Sequence, residues 1–207
     1  MSGERFNIGA HVEATDGECG TLTRVIFDPV ADVLTHLVVE PGHHQELARL
    51  VPIDLVERVE DDVIRLSCTN NEFERLDEAE DVQFLPADPD ASGYGAHASA
   101  WPYFTIGMPL GHHHEPMFND RVPLGEVEVR RGDQVHARDG LIGAVEGLVV
   151  DPADHHVTHV LLQEGHVWGR KQVAIPIGAA NRVDYEIRVD LTKDEIEALP
   201  PVSLKSR

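Results

Sequence analysis

The sequence predicts an all-β chain made of two tandem copies of one small antiparallel barrel, each closed by a short C-terminal helix. Three features predict it: an internal repeat at a shift of 123 residues, turn signals at short intervals between apolar runs, and a Pro-, Gly- and His-rich stretch between the copies. The expected boundaries are 1–85 for the first copy, 86–125 for the linker and 126–207 for the second copy.

The repeat is read directly. Asp16-Gly17 recurs as Asp139-Gly140, Gly20 as Gly143, Asp28-Pro29 as Asp151-Pro152, Thr35-His36 as Thr158-His159, and Gly42-His43 as Gly165-His166. One extra residue in the second copy then brings Pro52-Ile53 onto Pro176-Ile177 and Arg58-Val59 onto Arg182-Val183. The original shift returns for Arg65 with Arg188, Thr69 with Thr192, Glu72 with Glu195 and Leu76 with Leu199. Self-similarity over this length marks a duplicated structural unit.

Each element follows in order. Asp-Gly between apolar runs signals a tight hairpin, because the turn needs a positive φ that Gly adopts without steric cost. Strands are predicted over 20–27 and 143–150. Asp28-Pro29 and Asp151-Pro152 then start turns, Asp as a backbone acceptor and Pro with its preset φ. Leu34–Val39 and Val157–Leu162 are nearly continuous apolar strands that need cover on both faces. Leu47–Ile53 and Gln172–Ile177 follow, and later Val63–Leu66 and Glu186–Val189. Thr69 to Glu72 and Thr192 to Glu195 have the spacing of a capping box at the start of a short helix. Short strands, frequent turns and one terminal helix point to a small closed or half-closed barrel.

Together, Asp-Gly-x-x-Gly, a strand, Asp-Pro, Thr-His-Leu-Val-Val, a Gly turn, Val-Pro-Ile and a helical cap resemble the PRC-barrel family over roughly 5–80 and 128–202. The family includes the cytoplasmic domain of the photosynthetic reaction-centre H subunit, one domain of a ribosome-maturation factor, and many small stand-alone prokaryotic proteins. The resemblance implies about six antiparallel strands per copy and a role in binding other macromolecules. It implies no active site, since the family shares no catalytic residues.

Composition narrows the function classes. The net charge is -20, from 37 acidic and 17 basic side chains. Residues 1–85 carry 19 acidic and 6 basic groups, and 126–207 carry 14 and 10, so the first copy holds most of the negative charge. A phosphate backbone would be repelled, and nucleic acid is not an expected partner. Arg130, Arg131 and Arg138 form the densest basic cluster, too small to reverse that balance. No run of about 18 apolar residues is present, so no integral membrane segment is expected. The first residues lack the apolar core of a signal peptide, and Cys19 and Cys68 read as packed thiols at the places of Ile142 and Leu191. A cytoplasmic location is expected on these grounds.

No catalytic residue and no cofactor is predicted: the chain contains neither a Gly-x-Ser-x-Gly elbow nor a phosphate-binding Gly-x-x-x-x-Gly-Lys loop. Asp28 and Asp151 are explained by turn chemistry. His112, His113 and His114, followed by Glu115, are the best local cluster for a metal. Adjacent imidazoles cannot all reach one ion without a contorted loop, so no metal site is expected and the three are weak candidates. His36 and His159 sit mid-strand and are read as hydrogen-bonded structural histidines sharing a face with Leu34 and Val38 and with Val157 and Leu161; His43 and His166 are turn residues. The acidic run Glu72–Asp81 reads as a solvated face.

The linker carries Tyr94, Trp101, Tyr103, Phe104 and Phe118, more apolar surface than a freely solvated connector needs. Trp101, Tyr103 and Phe104 are therefore the candidate interaction residues, docking on the chain's own barrels or on a partner. The expected role is a non-catalytic cytoplasmic scaffold that binds a protein partner. Intrachain pairing of the barrels through an apolar face with opposite charges at its rim is expected, and a homo-oligomer is compatible with it. A peripheral component of a membrane energy-transducing complex and a ribosome-associated factor are the alternatives.

Overall fold

The computed structural model describes residues 3–42, 47–60, 62–84, 116–163, 173–183 and 186–199. In chain order the strands are β1 (Glu4–Asn7), β2 (His11–Ala14), β3 (Gly17–Asp28), β4 (Val33–Pro41), β5 (Arg49–Pro52), β6 (Val56–Glu60), β7 (Val63–Leu66), β8 (Glu80–Phe84), β9 (Pro116–Asp120), β10 (Val127–Arg130), β11 (Gln134–Ala137), β12 (Gly140–Val150), β13 (Val157–Leu162), β14 (Val173–Pro176), β15 (Ala180–Val183) and β16 (Glu186–Val189). Helix α1 spans Asn70–Phe73 and α2 spans Lys193–Glu197. The chain divides into two compact units. One joins Met1–Ala79 with Val122–Arg207, and the other is Glu80–Arg121, which contains the antiparallel β8–β9 hairpin.

Each repeat folds into a sheet of the same order. The first runs β5-β4-β3-β2-β7-β6 and the second β14-β13-β12-β11-β16-β15. The two ends of each path, β5 and β6 or β14 and β15, are consecutive in sequence and joined by a 3-10 turn of three residues, Ile53–Leu55 or Ile177–Ala179. Edge strands joined that tightly force the sheet to roll up, which gives the barrel form. The ladders are antiparallel, apart from β2 with β7 and β11 with β16, which run parallel. Those parallel ladders arise because β7 and β16 return from a hairpin to the far side of the repeat's first hairpin.

Local chemistry explains the elements. Ala14 pairs with Gly17 and Ala137 with Gly140 around two-residue hairpin turns, and the glycines take φ of +148° and +129°. Asp16 then does more than turn the chain: its carboxylate accepts from Asn70 N at 2.8 Å, as Asp139 does from Lys193 N at 3.1 Å. Each helix thus starts on the hairpin tip. Both capping boxes are complete, with Thr69 and Glu72 exchanging side chain-to-backbone hydrogen bonds, and likewise Thr192 and Glu195. Phe73 and Ile196 carry the inner faces of these helices into the core.

Thr35 and Thr158 occupy β-bulges. Ile26 pairs with His36 and Phe27 with Leu34, leaving Thr35 extra; Thr158 is extra in the same way between Val157 and His159. Their hydroxyls donate to the carbonyls of Ile26 and Val149 at 3.0 and 3.1 Å. The bulge reverses the alternation before the histidines, so His36 and His159 share a face with Val38 and Leu161 as expected but not with Leu34 and Val157. Leu34 and Val157 lie in the main core, whereas Ile26 and Val38 belong to a second small cluster with Ala48 and Ala79.

The main core is continuous through both repeats. Phe6, Leu22, Leu37, Ile64 and Phe73 share one cluster with Val129, Leu148, Val160, Ile187 and Ile196. Two beads with separate cores would not give that. The cause is that neither sheet is completed by its own repeat.

Candidate functional site at the strand-exchange seam

The long strands β3 and β12 each have one edge shared by two short strands. Along β3, the part near Gly17–Thr21 pairs with β2 of the same repeat, while Arg24–Phe27 pair with β10 of the other. Along β12, Gly140–Ala144 pair with β11, while Gly147–Val150 pair with β1 of the first repeat. The exchange is reciprocal. Glu4 meets Val150 and Val127 meets Phe27, positions related by the same shift of 123.

The crossing points are glycines. Gly9 and Gly132, also equivalent, take φ of +110° and +93° where the chain leaves the other repeat's sheet and enters its own. Hydrogen bonds from Ile8 N to Glu146 O and from Gly9 N to Leu22 O mark this transfer over one residue. A matched pair of turns meets at the pseudo-twofold axis. Asp32 and His155 adopt φ of +53° and +60°, their carbonyls accept from Val157 N and Leu34 N at 2.7 and 2.9 Å, and Val33 bridges His156.

Apolar and charged groups hold the seam. Phe6 is 1% exposed and Val129 2%. On β10, Glu128 is buried beside Arg24 of β3, with 3.7 Å between guanidinium and carboxylate, and it also meets Arg130 of its own strand. On β1, Arg5 lies 3.7 Å from Glu146, the bulged residue of β12. Burial raises the Glu4 carboxyl above its ordinary value, and His155 partly offsets this. The single hydroxyl proton of Thr35 is shared between the Ile26 carbonyl and the Glu126 carboxylate, the nearer acceptor at 2.6 Å, while His36 Nδ1 stands 3.6 Å from that carboxylate, beyond hydrogen-bond reach. His159 Nδ1 does have a partner, Thr158 Oγ1 at 3.0 Å, and burial lowers its pKa.

A recess of about 360 Å³ lies over the parallel ladder of the second repeat, lined by His136, Arg138, Arg188 and Asp190 among others. Arg138 and Asp190 face each other at 3.7 Å and are both exposed. No group of three or more His, Cys, Asp or Glu side chains able to hold a metal occurs among the described residues. Cys19 and Cys68 are free and buried. Burial, and then the neighbouring Cys68, push the Cys19 thiol up to about 12, far from the range of a nucleophilic thiolate.

The residues singled out from the sequence fall into three groups. Asp28 accepts from Val30 N and Ala31 N, and Asp151 from Ala153 N, as turn residues should. Two members of the basic cluster are paired with acids: Arg130 meets Glu128 and Arg138 meets Asp190. Trp101, Tyr103 and Phe104, the candidate metal ligands His112, His113 and His114, and the turn residues His43 and His166 lie outside the described residues. The seam is not foreseen by sequence reasoning, although Gly9 with Gly132 and Phe6 with Val129 obey the repeat shift and could have flagged it.

The fold defines a class: an all-β protein of two intertwined repeats, each a rolled sheet completed by a strand of the other. Residues 131–196 match the family model described as PRC-barrel domain. The match takes in β11 through the first residues of α2, and the first repeat, outside it, has the same strand order. No curated protein matches the chain. No helix among the described residues is long and apolar enough to cross a membrane.

Proposed function

We propose that the protein is a non-catalytic scaffold that binds another protein, working in the cytoplasm as one preorganised body made of both repeats. The PRC-barrel match over 131–196 is the observation that carries this reading, since it points to a binding module. The strand exchange supports it physically. Interlocked sheets hold the outer surfaces of both repeats in one fixed relation, so little ordering entropy is lost when a partner docks. The charge of -20 favours a partner with a basic protein surface, with association that is fast at low salt and weakens as salt rises.

The test is affinity capture of the tagged full chain from its native host, at low and high salt, with mass spectrometry of what is retained. A salt-sensitive protein partner, stoichiometric on reconstitution with purified components, is expected. Retention of RNA in place of protein, or a purified chain that turns over a small molecule, would replace this reading by another.

A further inference from the structure

The two seam ion pairs run in opposite senses. Arg5 and Glu128 occupy equivalent positions on the exchanged strands β1 and β10, yet one is a cation and the other an anion. Each faces an opposite charge on the sheet that receives it: Arg5 meets Glu146 at 3.7 Å, and Glu128 meets Arg24 at 3.7 Å. We propose that these charges form a pairing code, by which each repeat accepts the strand of the other repeat and rejects that of a second copy of itself.

The rejected arrangements follow from the register. If β1 settled on β3 of another chain, Arg5 would stand opposite Ile26, the place Glu128 now takes, with its cation against Arg24. If β10 settled on β12 of another chain, Glu128 would take the place of Arg5, beside the carboxylate of Glu146. Arg24 and Glu128 are both only 8% exposed at the side chain, so a like-charged contact there would be poorly screened. Like charges placed in a desolvated contact are an efficient way of excluding the wrong partner.

Sterics adds to one rejection and leaves the other to charge. Gly147 of β12 lets β1 approach so closely that a Cβ would lie 2.2 Å from the Phe6 carbonyl oxygen. The equivalent residue on β3 is Arg24, whose Cβ would obstruct β1 as well as repel Arg5. The opposite mispairing, β10 on β12, meets that glycine and is sterically open. Charge alone closes it.

The code is tested by reversing the signs on the exchanged strands of the full-length chain. In R5E/E128R, each strand is repelled by its present site, while the reversed charge on β10 is attracted to Glu146 of a second chain. The expected result is a twofold rise in mass over wild type by light scattering, through paired second repeats. Adding R24E/E146R restores both opposite-sign contacts within one chain and should return the mass to the wild-type value. R5Q/E128Q, with no sign to read, should lose the discrimination and give a mixture of wild-type and doubled mass. Should R5E/E128R lose its β-sheet circular dichroism, recovery in the fourfold variant supports the code and failure to recover overturns it. A folded R5E/E128R with wild-type mass at high protein concentration and wild-type hydrogen exchange along Arg24–Phe27 and Gly147–Val150 also overturns it.

Discussion

Replacing Phe6 by Ala tests whether the two repeats stand or fall together. Phe6 sits on β1, a strand of four residues that the first repeat lends to the second, and it is 1% exposed within the shared core. Truncating a buried Phe costs about 3–5 kcal/mol from lost transfer energy and the cavity left behind. For a cooperative unit of this size each kcal/mol moves the melting temperature by about 2–4 °C, so a fall of roughly 6–20 °C follows. A local strand would fray alone, and the second repeat would loosen without the first. The continuous core predicts otherwise: one calorimetric transition, shifted as a whole, with hydrogen exchange accelerated both near Leu22–Phe27 and near Leu148–Val150. Two separate transitions, with the first repeat's unmoved, would refute the interlocked core, as would a loss under about 1 kcal/mol.

Three further outcomes follow from the same structure. Gly147→Ala should destabilise the protein by at least about 1–2 kcal/mol in urea, because its methyl would meet the backbone of Phe6 at 2.2 Å, whereas Gly178→Ala, with nothing within 4 Å, should be near neutral. The Glu72 and Glu195 carboxyls are held below the ordinary value by hydrogen bonds from the backbone and side chain of Thr69 and Thr192. Their contribution is present above the unfolded value of 4.5 and is lost as pH falls through the lower folded value, so E72Q/E195Q should flatten the acid limb of a stability–pH curve. With Cys19 pushed up to about 12 and Cys68 raised by burial, neither thiol should react with a disulfide reagent at pH 8 until denaturant unfolds the chain; prompt labelling of the native protein would contradict the packing.

Much of the fold was legible because duplication printed it twice. The strands Val157–Leu162, Val63–Leu66 and Glu186–Val189 fall where apolar runs and turn residues place them. The capping boxes were readable from Thr-x-x-Glu alone, since their chemistry is local. The face of His36 was not, because a bulge at Thr35 cancels the alternation that strand reading relies on. The strand exchange was illegible for a deeper reason. A strand's residues show that it pairs and which face it buries, but not whether the waiting edge is in its own repeat or the next. The clue lay in a difference between the copies: Arg5 against Glu128 at one repeat position is a charge reversal that two independent barrels would not require.

The exchange also bears on how the chain is made. During synthesis the first repeat emerges with the Arg24–Phe27 edge of β3 uncovered, because its cover, β10, lies roughly 100 residues downstream. At translation rates of about 5–20 residues per second, that edge waits on the order of 5–20 s. Unpaired backbone in a sheet edge is a template for association with neighbouring nascent chains. Throughout that wait the edge carries Arg24, and under the proposed pairing code the β1 strand of a neighbouring chain, bringing Arg5 against it, would be repelled.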